Sequence, residues 1–339
     1  MKTQWRAVAV LAVCAGALIS CKKDENPTNN NNSQASQLYA RWQVVSGDPE
    51  VKHLLFNTDN TWFGLKEGSY GLRDLESGVC QVTETQVNFR GSLYNFSIVG
   101  PELRLTNTTQ TIVCTKNPSS PDASAWVSAV TKIDSMLAPT DQLTDIAATS
   151  QYLWYGNAYS SVRRLHRIDI GTRTEAPLPT ATDFTQYSFA LEFANGSLWT
   201  GSNGGSELYK VNTTTGVATA VAGVTFGPWL NGIAWDGQLL WCASSNNQTI
   251  YKYNPTTNAI TGTFSDIRVE GMAFVGTTLY MCKNGIINKC TSSPLRATAA
   301  YRIPGVYIGG IAYDGTNFWL ATRSGSYPNQ VFMLYKVSL

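Results

Sequence analysis

The chain has 339 residues, with 25 Lys and Arg against 23 Asp and Glu, and it is rich in aromatics (10 Trp, 16 Tyr, 12 Phe). That balance lacks the basic footprint of a nucleic-acid binder, and two histidines, His53 and His166, leave little for a histidine-based triad or zinc site. A length above about 300 residues points to two domains, and Gly-, Thr- and Asn-rich sequence without helical periodicity reads as all-β.

The first element is a leader. Lys2 and Arg6 precede an apolar stretch from Val8 to Ile19. The stretch is shorter than the roughly 20 residues that span a bilayer. It ends in Leu18-Ile19-Ser20-Cys21, which resembles the lipobox of bacterial lipoproteins. The resemblance implies cleavage of residues 1–20, lipidation of Cys21 and a membrane partner reached through that lipid, since two or more acyl chains anchor stably. Cleavage removes Lys2 and Arg6 and no acid, so the mature chain is formally neutral. Residues 21–37 run through Lys22-Lys23-Asp24-Glu25 into Asn, Ser and Gln, which bury nothing and read as a tether. The charged patch beside the cysteine resembles the surface-export signal of Bacteroidota lipoproteins and implies an outer-membrane protein facing the cell exterior.

Residues 38–117 show short strands every eight to twelve residues: Arg41-WQVVS, Leu54-Leu55-Phe56, Thr61-Trp62-Phe63, Leu93-YNFSIV and Glu102-LRLTN. This spacing fits a small barrel or sandwich. The order of Trp42, the Asn57-TDN turn, Gly68-Ser69-Tyr70 and the last two strands resembles the lipocalin-like domains of such lipoproteins. At this length the expected interior is filled by side chains rather than ligand. Cys80 and Cys114 form a candidate disulfide, permitted by export. Asn117-PSSPDAS opens the linker, residues 118–125.

From residue 126 the chain repeats. Asp145-IAATSQYLW, Ala190-LEFANGSLW, Gly232-IAWDGQLLW, Gly271-MAFVGTTLY and Gly310-IAYDGTNFW align, and their last aromatics (Trp154, Trp199, Trp241, Tyr280, Trp319) are 45, 42, 39 and 39 residues apart. Each leads to a third strand (Leu165-HRID, Leu208-YKVN, Ile250-YKYN, Ile287-NKC, Met333-LYKV). Four strands per period near 40 predict a β-propeller of five blades. The repeats resemble those of NHL and gluconolactonase propellers. Repeat five ends at Leu339 after its third strand, so Trp126–Met136 is expected to complete the last blade, the alternative being a short linker helix. Cys282 and Cys290 flank Asn284-Gly285, where a cross-hairpin disulfide depends on register. Cys242 reads as a buried apolar residue.

The residues just before the innermost strands, Thr144, Phe189, Asn231, Glu270 and Gly309, are expected at the central channel. Asn231-GIAWDG and Glu270-GMAF resemble the metal-binding segments of gluconolactonase and senescence-marker propellers. The resemblance implies Asn231 and Glu270 as ligands of Ca2+ or another divalent cation in a lactonase-like hydrolase. Those propellers have six blades, their acid is Asp, and a further acid has a counterpart only in Asp145 or Asp141. Glutaminyl cyclotransferases share the blade count, but their catalytic pattern has no place on this chain. With no nucleophile elbow and no HExxH, the sequence favours a binding or scaffolding protein over an enzyme. Trp229, Tyr159 and Tyr327, in loops rich in Asn and Gly, are the candidate contacts to a glycan, peptide or protein ligand. The run from Arg163 to Arg167 around His166 reads as a solvated strand face that meets an anionic partner only as an alternative.

Overall fold

The computed structural model describes residues 33–116, 127–138, 143–157, 165–175, 187–203, 205–325 and 329–339. Nine strands form the first sheet: β1 (Arg41–Ser46), β2 (Val51–Phe56), β3 (Thr61–Glu67), β4 (Arg73–Val79), β5 (Gln81–Val82), β6 (Gln86–Phe89), β7 (Ser92–Val99), β8 (Glu102–Thr106) and β9 (Thr111–Lys116). They lie in the order β4-β3-β2-β1-β9-β8-β7-β6-β5. The two edge strands are consecutive in sequence, so the sheet curls into a nearly closed barrel. Alternation decides which side chains go in: in β7, Tyr94, Phe96 and Ile98 are buried while their neighbours are exposed. Phe89 fills the centre, with ring centroids 5.2 Å from Phe56, 5.3 Å from Trp62 and 4.9 Å from Tyr94. A short helix, α1 (Gln34–Leu38), covers one end, where Trp42 donates its indole N–H to Leu38 O at 2.9 Å.

Cys80 and Cys114 are free, buried thiols and not a disulfide. Cys80 follows β4 and Cys114 lies on β9, four strands round the barrel. At about 4.8 Å per strand spacing they sit on opposing walls, beyond the roughly 7 Å between Cα atoms that a disulfide spans.

The segment after the linker contributes β10 (Ser128–Ala129) and β11 (Thr131–Leu137). Blade one has β12 (Leu143–Ala148), β13 (Tyr152–Asn157) and β14 (Leu165–Asp169); blade two has β15 (Tyr187–Ala194), β16 (Ser197–Asn203), β17 (Leu208–Val211) and β18 (Ala218–Ala220). Blade three is β19 (Leu230–Trp235), β20 (Leu240–Ser244), β21 (Thr249–Asn254) and β22 (Ala259–Phe264). Blade four is β23 (Gly271–Val275), β24 (Thr278–Lys283), β25 (Ile286–Ser292) and β26 (Leu295–Arg302). Blade five is β27 (Tyr307–Tyr313), β28 (Phe318–Ser324) and β29 (Val331–Ser338). β11 pairs antiparallel with β29 and completes blade five, joining the start of the propeller to its end. The segment expected to complete the last blade divides, however: β10 pairs parallel with β26 on the rim of blade four.

Each interface between blades holds its own apolar cluster, headed by the repeat's aromatic. Trp154 packs with Leu191 and Leu198, Trp199 with Leu230 and Ile233, and Trp241 with Met272 and Leu279. Tyr280 packs with Ile311 and Leu320, and Trp319 with Ile146 and Leu153, so the last blade docks on the first. Burying one such ring contributes roughly 5 kcal/mol in area terms before entropy is set against it. The Asp-Gly turns explain how the ring is held. Asp314 accepts the amides of Thr316 and Asn317 at 2.8 and 2.7 Å and the Trp319 indole at 2.9 Å. Asp236 does the same for Gln238, Leu239 and Trp241. A cation on the third strand lies opposite each aromatic: Arg167, Lys210, Lys252, Lys289 and Lys336. Cys282 and Cys290 are also free, because the register pairs them with Ile287 and Leu279 rather than with each other.

The barrel docks on blades three and four. Leu72 enters the cluster of Ile267, Val269 and Leu295, and Leu55 and Leu65 pack with Val127, Ile286 and Ala300. Asn288, fully buried, latches the contact: it accepts from Arg73 N at 2.7 Å and donates to Arg73 O at 3.1 Å.

Candidate functional site

The five innermost strands converge through the first residues of the repeat motif: Asp145, Ala190, Gly232, Gly271 and Gly310. Four are small, and Asp145 occupies the space they leave. A Cβ on Gly310 would stand 2.6 Å from Asp145 Oδ1, and one on Gly271 would stand 3.1 Å from it, so glycine is required at Gly310. Asp145 is 0% exposed. Its Oδ2 accepts Leu191 N at 3.1 Å, and the amides of Ile146 and Ile311 also favour its charged form. Burial dominates and pushes its carboxyl well above 3.8. Asp145 therefore floors the channel and ties blades one, two and five together.

Just above this floor the strands bulge. Pairing of the first two strands shifts register at Leu143/Ile146, Ser188/Ala190, Leu230/Gly232 and Ile308/Gly310. Thr144, Phe189, Asn231 and Gly309, the positions expected at the channel, lie in these bulges. A bulge inserts an unpaired residue and re-aims its side chain, a device common beside binding sites. In blade four the corresponding Glu270 stands just outside β23, its amide bonded to Cys282 O at 2.8 Å.

Glu270 is the acid of the mouth. It accepts Asn284 N at 2.9 Å and the Tyr307 hydroxyl. Burial raises its carboxyl, while Tyr307, Asn284 and the cations Arg268 and Arg323 pull it back. Arg323 lies over the Tyr307 ring at 4.2 Å, leaving a guanidinium, a phenol and a carboxyl at one edge of the mouth. Asn284, in the left-handed region at φ 48, also donates Nδ2 to Asp74 Oδ2 at 2.6 Å. The barrel is thus bonded to the same residue that holds Glu270. Sequence spacing gave no sign of Asp74, Tyr307 or Arg323, because all three reach the mouth through tertiary contacts.

Trp229, in the loop entering β19, is 51% exposed at φ 62. A non-glycine residue in that region is strained. The loop is held there by Ser244, which donates to Pro228 O at 2.6 Å, and by Ser245 N, which donates to Trp229 O at 3.0 Å. A Cβ at Gly227 would stand 2.5 Å from both Ser244 Oγ and Asn247 Nδ2, so a larger residue there would displace these side chains.

Cys21, Asp141, Tyr159 and Tyr327 lie outside the described residues. Asn231, in the bulge of β19, and Glu270, just before β23, lie at the same end of the ring. Among the described residues no group of three or more His, Cys, Asp or Glu forms a metal-holding cluster. His166 is not simply solvated: it stacks on Tyr155 with centroids 4.9 Å apart and pairs with Glu175, which also accepts Tyr155 Oη at 2.8 Å. Glu192 stands where the other repeats have Ala147, Ala234, Ala273 and Ala312. Burial raises its carboxyl, and its charge adds to the upward shift at Asp145.

The sequence matches no family model and no curated protein. Among solved structures, similar chains include glutaminyl cyclase of Myxococcus xanthus, at 9% identity over 62% of this chain and 98% of that one, with TM-score 0.47. Regucalcin of Agrobacterium tumefaciens, a calcium-binding protein, is 13% identical over 62% of this chain and 97% of that one, with TM-score 0.42. Virginiamycin B lyase from Staphylococcus aureus is 14% identical over 91% of this chain and 97% of that one, with TM-score 0.35. Identities this low transfer no residue roles.

Proposed function

We propose that this protein is a lipid-anchored, extracytoplasmic binding protein that takes a glycan or peptide ligand at the mouth of its propeller. The observation that carries the reading is Trp229: a bulky indole, half exposed, kept in a strained backbone conformation by a pinned loop. Strain of this kind is retained where the surroundings fix a residue for use. A flat apolar face flanked by hydrogen-bonding groups suits a sugar ring or a peptide side chain. Arg268, Arg323 and the Tyr307–Glu270 pair at the same end add charge and hydrogen bonds that orient a ligand. The lipobox supports anchoring through Cys21, and the charged patch after it supports display on the outer face.

Binding of the wild type to a glycan and peptide array, set against Trp229→Ala, tests the ligand seat. Loss of binding in the variant, with an unchanged melting temperature, is the expected result. Unaltered binding by the variant removes Trp229 from the site. Calcium titration and a lactonase assay on wild type and Glu270→Gln test the second reading, a metal-dependent hydrolase. Saturable calcium binding and turnover, both lost in Glu270→Gln, replace binding by catalysis. Detergent-phase partition of the wild type but not of Cys21→Ser tests the anchor.

A further inference from the structure

The opposite end of the ring holds a cleft of about 290 Å³ between blades two and three, walled by Asn195, Trp199, Lys210, Thr219, Tyr253 and Thr256. Its volume is at the small end of ligand sites, which run from about 300 to 1,000 Å³. Asn195 belongs to the β15–β16 turn and Thr256 to the β21–β22 turn, so the cleft is separate from the mouth.

The cleft lies in a blade that lacks an acid found in blades three and five. In blade five the indole of Trp319 donates to Asp314 at 2.9 Å, and Lys336, opposite that ring, comes within 3.8 Å of the same carboxylate oxygen. Blade three places Lys252 4.2 Å from the Trp241 ring centroid, with Asp236 accepting the indole at 2.8 Å. In these two blades an aromatic, a cation and a carboxylate form a unit. Blades one and four have Thr149 and Val275 at the acid's position, and in blade two it is held by Ala194, five residues before Trp199. The Trp199 indole turns to Ala194 O at 3.2 Å, and Lys210 stands 5.8 Å from the ring centroid. Among the described residues Lys210 makes no ion pair, and no acid lines the cleft. The aromatic and the cation remain, and space opens beside them.

We infer that this cleft binds a small carboxylate-bearing ligand of monosaccharide size, a hexuronate, whose carboxylate stands beside Lys210 as Asp314 stands beside Lys336 in blade five. The amide of Asn195 and the hydroxyls of Thr219 and Thr256 meet the sugar hydroxyls. Ammonium-to-carboxylate hydrogen bonds are about twice as strong as neutral ones, so the carboxylate sets selectivity. The site is independent of the ligand seat at Trp229.

Saturation-transfer NMR and calorimetry with glucuronate, with glucose as the neutral control, test the inference on the full chain. Expected are saturable glucuronate binding, glucose at least tenfold weaker, at least a tenfold loss in Lys210→Met, and no change in Trp229→Ala. Ala194→Asp introduces the acid that blades three and five carry and is expected to abolish binding. If that variant fails to fold, Lys210→Met still decides. Absence of saturable glucuronate binding, equal binding of glucose, an unaffected Lys210→Met, or loss in Trp229→Ala each overturns the inference.

Discussion

Replacing Asp145 tests the assignment of a single carboxyl as the floor of the channel. Asp145→Ala removes the acceptor for Leu191 N of blade two at a fully buried position and empties the space against Gly310 of blade five. A buried donor left unsatisfied costs about 1–3 kcal/mol, a sizeable part of the 5–15 kcal/mol that holds most domains together. Asp145→Asn keeps an oxygen that can accept Leu191 N, so it is expected to lose less. Urea unfolding followed by Trp fluorescence measures both. The pH dependence separates the charge from the geometry. Because burial raises the folded-state carboxyl well above 3.8, the stabilising contribution is complete below that value and is lost as pH rises towards the folded-state value. The slope is about 1.4 kcal/mol per pH unit for one group. Asn does not titrate, so the advantage of wild type over Asp145→Asn is expected to narrow from pH 4 upward. An advantage that stays constant or widens refutes the buried, protonated carboxyl. An Asp145→Ala loss below about 0.5 kcal/mol refutes its bonding to Leu191 N.

Three further outcomes follow from the packing. A variant lacking residues 121–137 loses β11, the strand that joins blade five to the chain's own start, and is expected to show broad, non-cooperative melting by calorimetry; a single sharp transition refutes closure by this strand. Asn288→Ala strips both bonds to the Arg73 backbone. It is expected to cost about 2–4 kcal/mol and to make the barrel the first part cut in limited proteolysis; unchanged cleavage removes the latch. Cys80, Cys114, Cys242, Cys282 and Cys290 are buried, and burial raises all five thiols. A thiol reagent is expected to react with none of them in the native protein and with all five after denaturation without reductant; fewer in the second case reveals a disulfide.

Much of this architecture was legible in the sequence because it rests on local chemistry. A period near 40 with one terminal aromatic per repeat specifies a ring, since a lone four-stranded blade leaves a face unburied. Asp236-Gly237 and Asp314-Gly315 announce their turns because a carboxylate two and three residues before free amides, followed by glycine at φ 98 and 96, closes a tight corner. Alternation in β7 fixed which residues of the barrel point inward. Sequence also marked Glu270 and Asn231 as residues beside innermost strands.

Only the tertiary structure decided which side chains meet. Five residues compete for the axis, and Asp145 fills it because ring closure brings Gly271 and Gly310 against it from 126 and 165 residues away in the chain. Closure likewise divided the segment before blade one between blades four and five, since each rim offered an unpaired edge. The cysteines stayed apart because strand order, which sequence spacing does not encode, put Cys80 and Cys114 on different walls. The link from Asp74 through Asn284 to Glu270 exists only because the barrel docks on blade four. Local pattern sets the period and the turns, while contacts between distant segments are set by how the closed surfaces pack.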